Sequence, residues 1–197
     1  MPILVDQGTW NKQNCYNKSY YTNKDAVEKV IRYITRTRYN ENKANELIKV
    51  GAAGINCLST INEMIRHIEY VQEIYQIKRR GGRRIVHEVY SFSEQEFREL
   101  NNDYGYIDMI AREISYYYYC MGHQVVYAIH YSQHKKVHIH FAINTINFYT
   151  GKKFHSNTHD FQLRKKYFDD VYIKTCYQAK NYGKNTYGKI CPIEFFY

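Results

Sequence analysis

The chain has 197 residues, 44% of them hydrophobic, with 28 Lys and Arg against 19 Asp and Glu, a net charge of +9 with histidine neutral. That length and apolar content exclude a disordered chain and fit one globular domain, expected to span residues 1–197. The positive excess favours a polyanionic partner; the 23 Tyr and 9 Phe suit stacking on unpaired bases as well as a packed core. The segment 1–13 carries Asp6, Gly8 and Asn11 and has no long apolar stretch, which argues against a signal peptide. Nowhere do about 18 apolar residues run together, so no membrane insertion is expected. Cys15, Cys57, Cys120, Cys176 and Cys191 are scattered and odd in number, which reads as reduced thiols of a cytoplasmic protein.

In chain order, Ile3-Leu4-Val5 reads as a short first strand and the Asn-, Lys- and Tyr-rich stretch to Tyr21 as loop. Thr22 or Asn23 is placed to cap a helix of about 14 residues whose apolar stripe is Val27, Val30, Ile31 and Ile34. Tyr33 falls on the flank of that stripe, among Arg32, Arg36 and Arg38. Residues 40–58 are weakly patterned, and Gly51 and Gly54 read as turns. Thr60 with Glu63 forms a capping box for a helix with Ile61, Ile65, Ile68, Val71 and Tyr75 inward, ending by Lys78.

Arg79, Arg80, Arg83 and Arg84 surround Gly81 and Gly82, a basic loop suited to phosphates. Residues 84–92 read as a strand, on which His87 and Glu88 must face opposite sides. Either could support a neighbouring site, and the sequence does not choose between them. A second capping box, Ser93 with Glu96, starts a short helix through about Asn101. A longer helix is expected from about Tyr106 to Met121, stopped by Gly122. After the hairpin discussed next, a helix within 160–178 is expected to face inward with Leu163, Tyr167, Val171 and Thr175. Residues 179–197, with Gly183, Gly188 and Pro192, are expected to be an irregular tail. His155 and His159 suggest no role.

The stretch from Val125 to Asn147 carries the chemistry. Two β-branched and aromatic runs flank the polar segment Tyr131 to Lys136, the pattern of two antiparallel strands joined by a loop. His138 and His140 share a strand face, and the connection brings His130 beside them. Three converging imidazoles suit a divalent metal with positions left open for substrate. The order of elements predicts an α+β fold, a central antiparallel sheet that carries the His-x-His pair and is packed with helices.

These residues carry a resemblance. Gly122-His123-Gln124, the run to His130, and His138-Ile139-His140-Phe141-Ala142-Ile143-Asn144 resemble the metal motif of the relaxases, the mobilisation nucleases of the HUH endonuclease superfamily. Ser132 stands where that family often has an acid. Tyr33-Ile34-Thr35-Arg36 resembles the nucleophile motif of one large relaxase group. His87-Glu88-Val89-Tyr90-Ser91-Phe92 resembles a strand that lies beside the metal strand and lends it a polar group.

The resemblance implies an HUH relaxase fold and a nuclease that nicks one strand at an origin of transfer. It implies Tyr33 as nucleophile, leaving a 5′-phosphotyrosine, with Tyr39, Tyr20 and Tyr21 as alternatives. It also implies His130, His138 and His140 as ligands of Mg²⁺, Mn²⁺ or another divalent ion, with His87, Glu88 or Asn144 in support. Arg36, Arg79, Arg80, Arg83 and Arg84 are the candidate DNA contacts. The implied partners are single-stranded or hairpin origin DNA, with accessory relaxosome proteins and a coupling protein. Two alternatives stay open. A rolling-circle replication initiator shares the metal motif but carries its Tyr on a helix after the histidines. A non-catalytic DNA-binding protein would merely bury them.

Overall fold

The computed structural model describes residues 1–6, 21–37, 45–56, 58–75, 81–132 and 136–182. Its centre is a five-stranded antiparallel sheet in the order β1-β3-β5-β4-β2. The strands are β1 (Ile3–Asp6), β2 (Leu47–Ala53), β3 (Ile85–Ser91), β4 (Val125–Ser132) and β5 (Lys136–Asn144). The two strands of the histidine hairpin are therefore flanked on both sides. That suits their apolar sequences, which would be a liability at an edge.

Among the described residues, five helices cover the sheet: α1 (Ala26–Ile34), α2 (Ile61–Ile74), α3 (Glu94–Glu99), α4 (Tyr104–Cys120) and α5 (Thr158–Tyr182). On one face, Val27, Val30, Ile31 and Ile34 of α1 and Met64, Ile65 and Ile68 of α2 pack on Ile85, Val126, Ala128 and Ala142. On the other, Ile107, Ile110, Ile114 and Tyr118 of α4 and Phe168, Val171 and Tyr172 of α5 pack on Val86, Tyr90, Tyr127, Ile129 and Phe141. Each fully buried aliphatic or aromatic side chain contributes roughly 1.5–3 kcal/mol through the apolar surface it removes from water. No described helix is long and apolar enough to cross a membrane.

Both capping boxes form: Thr60 and Ser93 accept from the backbones of Glu63 and Glu96, whose carboxylates reach back. Several boundaries move. α1 is shorter than expected, nine residues starting after Asp25. α2 stops at Ile74, and its buried face is Met64, Ile65, Ile68 and Gln72; Ile61, Val71 and Tyr75 are only half-buried.

Residues 47–53, expected to be loop and turn, form edge strand β2 against β4, with a register shift between Leu47 and Lys49. Gly51 is a strand residue here. It lies opposite Tyr127, and a Cβ added at Gly51 would strike the Tyr127 ring. The glycine is therefore a site of close approach rather than a turn. Gly54, with φ of +70°, does turn the chain.

The long helix α5 runs to Tyr182, four residues into the segment expected to be irregular; residues 183–197 lie outside the described residues. Its buried face is Arg164, Phe168, Val171, Tyr172, Thr175, Cys176 and Ala179, and Leu163 is 53% exposed. The inward face is thus rotated by one residue at its N-terminal end. The cause is polar: Arg164 is drawn in to pair with Glu88.

Candidate metal centre

Register places the histidines. His130 of β4 lies directly opposite His138 of β5, and His140 lies opposite Ala128. All three project from the face covered by α1. The small side chains of Ala128 and Ala142 in the same layer leave room for the imidazoles and for α1 above them. One ligand nitrogen from each histidine falls within 4.8 Å of the others, and all three side chains are buried.

The hydrogen bonds assign the tautomers. His130 Nε2 donates to the Ile34 carbonyl at 2.6 Å, one of the carbonyls that the end of α1 leaves without a helical partner. His138 Nδ1 donates to the Lys136 carbonyl at 3.0 Å. His140 Nδ1 is 2.9 Å from Nε2 of His87. His130 Nδ1 and His138 Nε2 therefore carry lone pairs, and His140 Nε2 carries one when its Nδ1 donates to His87 Nε2.

The His130 imidazole is pushed down to about 4, mainly by burial and also by Arg36, His138 and His87, with the Ile34 carbonyl pulling the other way. Burial likewise holds His140 well below its usual value, with His87, His130, His138 and Arg36 adding to the effect. Both rings are neutral at neutral pH, the state a metal ligand requires.

One observation tests whether a metal fits. His140 Nε2 is buried and has no hydrogen-bond partner. A buried polar atom left so costs about 1–3 kcal/mol, and a divalent ion would remove that cost. His130 Nδ1 accepts only a long contact of 3.3 Å from Arg36 Nη2.

Tyr33 stands over this centre from the flank of α1. It is 38% exposed, and its ring meets those of His140 and His87 edge-on at 5.8 and 6.1 Å. Arg36 closes the far side, with its guanidinium 5.1 Å from the Tyr33 ring centroid. The end of α1 dictates that position. Thr37 N donates to Arg32 O and Arg36 N to Tyr33 O, a Schellman ending that puts Arg36 at φ of +57°. Glycine ordinarily fills that place, and a larger residue there is strained. The turn folds the guanidinium back under the helix, against Tyr33, His130 and Glu46 Oε2 at 3.1 Å.

β3 decides between His87 and Glu88. His87 shares the triad's face and bonds His140. Glu88 lies on the opposite face, fully buried, where it accepts from Tyr118 Oη and pairs with Arg164 at 3.1 Å. Its side chain lies on the side of the sheet away from the triad.

Asn144 is four residues beyond His140, roughly 13 Å along the strand, and does a different job. Gln72 Nε2 donates to Asn144 Oδ1 and to the Arg84 carbonyl, and Asn144 Nδ2 donates to Gln124. The expected basic loop splits. Arg84 is buried, bonded to Gln72 and to the Lys24 carbonyl, and faces no surface. Arg83 is half-buried with its guanidinium 5.5 Å from the Tyr21 ring centroid; Arg79 and Arg80 lie outside the described residues.

The alternative tyrosines Tyr20 and Tyr39 also lie outside the described residues. Tyr21 does not: its hydroxyl reaches His87 Nδ1 at 3.2 Å. That link and Glu46 were not legible in the sequence, since both belong to segments without a periodic pattern. Of the tyrosines that follow the histidines, Tyr167, Tyr172, Tyr177 and Tyr182 sit on α5, which packs on the face of the sheet away from the triad, and Tyr149 lies in a turn before it. His155 and His159 are exposed and outside the site.

A family model described as Relaxase: MobA/VirD2-like, nuclease domain, matches residues 33–175, well over half of the chain. No curated protein matches.

Proposed function

Given that the chain belongs to the MobA/VirD2-like relaxase nuclease family, we propose that it is a strand-specific DNA transesterase acting at an origin of transfer to begin mobilisation. One observation carries the reading: a helix that precedes the histidines in the chain sets Tyr33 against His140 and His87 over a buried three-histidine centre, with Arg36 from the end of that helix against the Tyr33 ring. That order also favours a relaxase over a rolling-circle initiator.

The family is metal-dependent, and His130, His138 and His140 would hold the ion. When bound, a divalent cation supplies Lewis-acid polarisation of the non-bridging oxygens of the scissile phosphate. The all-nitrogen donor set suits Mn²⁺ better than Mg²⁺, which prefers oxygen ligands and retains its waters.

The chain's own residues do the rest. Tyr33 Oη attacks the phosphorus, the P–O3′ bond breaks, and the 5′-phosphate stays on the phenol while the 3′-oxygen leaves as a hydroxyl. The phosphodiester energy is kept, so a later 3′-hydroxyl can reverse the step. A free tyrosine has a pKa of about 10 and needs help to ionise. Arg36 places a positive charge against the Tyr33 ring, where it would offset the charge that develops on the phosphate. Arg79, Arg80 and Arg83 would hold the backbone of single-stranded or hairpin DNA. The setting would be the cytoplasm, with accessory relaxosome proteins and a coupling protein as partners.

The test is incubation of the protein with single-stranded origin DNA and Mn²⁺, followed by mass spectrometry of the trapped complex. The expected product is a phosphotyrosyl peptide containing Tyr33. Tyr33→Phe is expected to bind DNA and Mn²⁺ and form no adduct. An adduct on Tyr20, Tyr21 or Tyr39 would move the nucleophile. Cleavage with no covalent peptide would replace the mechanism with hydrolysis.

A further inference from the structure

We infer that Tyr21 is a positioning residue of the metal centre, fixing His87 and, through it, the ring and tautomer of His140. The inference rests on the proposed metal centre. Its basis is a continuous line of hydrogen bonds: Tyr21 Oη to His87 Nδ1 at 3.2 Å, then His87 Nε2 to His140 Nδ1 at 2.9 Å. The line ends at His140 Nε2, the buried nitrogen without a partner.

Proton counting gives the line a direction. A neutral imidazole carries one N–H. To offer its Nε2 lone pair to a cation, His140 must carry its proton on Nδ1, which donates to His87 Nε2. His87 then carries its proton on Nδ1, and the Tyr21 oxygen accepts it. With both ring nitrogens engaged, His87 cannot rotate without breaking its buried hydrogen bond to His140, and it can change tautomer only if Tyr21 Oη turns from acceptor to donor. In the opposite arrangement His87 would donate to His140, the His140 proton would move to Nε2, and the ligand would be lost. A cation at His140 Nε2 selects the ligating direction, and Tyr21 completes it by accepting the last proton in the line while holding the His87 ring.

Tyr21 is itself held in place. Its carbonyl accepts from Arg84 N at 2.7 Å, and the Arg83 guanidinium lies against its ring. Its ring meets His87 at 6.3 Å in a T-shaped contact. Arg84 is anchored in turn to Gln72 and to the Lys24 carbonyl. A carboxylate is a common partner of a metal-bound histidine. Here the partners are an imidazole and a phenol, so they fix geometry without bringing a carboxylate's negative charge to the centre.

The experiment is a Co²⁺ titration of the full chain without DNA, read by the visible absorption of the bound ion, alongside thermal melting in EDTA. Wild type is expected to bind at the triad. Tyr21→Phe is expected to weaken Co²⁺ about 10–100-fold, the usual effect of removing a partner of a metal-bound histidine, with the metal-free melting temperature unchanged. In a His87→Leu background, adding Tyr21→Phe is expected to cost nothing further.

Equal affinity of Tyr21→Phe and wild type would overturn the inference and leave the metal centre standing. Additive losses with His87→Leu would also overturn it, because Tyr21 would then not act through His87. A metal-free melting temperature that falls in step with affinity would assign Tyr21 to packing alone. Failure of wild type to bind would remove the metal centre itself, and this inference with it.

Discussion

Replacing Glu88 by Gln separates the two faces of β3. Glu88 and Arg164 are 0% and 3% exposed and paired at 3.1 Å, and Tyr118 Oη also donates to Glu88. Gln keeps the shape and an acceptor for Tyr118 but leaves the Arg164 charge buried without a counterion. Breaking a buried pair by removing one partner costs about 3–5 kcal/mol. At about 2–4 °C per kcal/mol for a chain of this size, the melting temperature should fall by roughly 6–20 °C. Calorimetry in EDTA measures this, and a metal titration at low temperature, where the variant is folded, is expected to match wild type. Glu88→Leu combined with Arg164→Leu and Tyr118→Phe should recover most of the loss, because no uncompensated charge remains. A Glu88→Gln protein that melts like wild type but binds metal weakly would refute the placement of Glu88 and tie it to the triad.

Two further outcomes follow from surface and buried charge. Replacing Arg79, Arg80 and Arg83 together with Ala should make the dependence of log K on log salt for single-stranded DNA shallower by about 2, at roughly 0.7 per lost phosphate contact; an unchanged slope would show that the loop does not touch DNA. His123 is buried, with Nδ1 donating to the Asn144 carbonyl at 2.9 Å. Burial lowers its pKa from 6.5, and the Asn144 carbonyl partly offsets that. The unfolded chain therefore takes up the proton first as pH falls. Its contribution to stability is intact above about pH 6.5 and lost as pH falls through the depressed folded value. In EDTA, His123→Asn should lose less melting temperature than wild type between pH 7 and pH 5 (about the span in which histidine titrates), and an equal loss would refute the assignment.

The amino-acid sequence by itself determined whatever depends on neighbours along the chain. The convergence of His130, His138 and His140 needs only strand alternation and a short connection, so it was legible before any coordinates. The capping boxes at Thr60 and Ser93 are equally local. So is the position of Tyr33 on the flank of α1, because a helical repeat assigns faces without reference to a partner.

Tertiary structure decided what depends on which surface meets which. Alternation states that His87 and Glu88 oppose each other; only the pairing of β3 with β5, and of each face with its helices, sends His87 to the triad and Glu88 to Arg164. The same pairing buries Arg84 and turns Arg164 inward in place of Leu163, against the tendency of arginine to stay exposed. β2 escaped the pattern because an edge strand of Leu-Ile-Lys-Val-Gly-Ala-Ala is held by its partner's backbone rather than by a strong preference of its own. Arg36 and Tyr21 complete the site through contacts across 94 and 66 residues of chain. Distances along the sequence carry no information about such contacts, and it is the packing of α1 and its lead-in over the sheet that makes them.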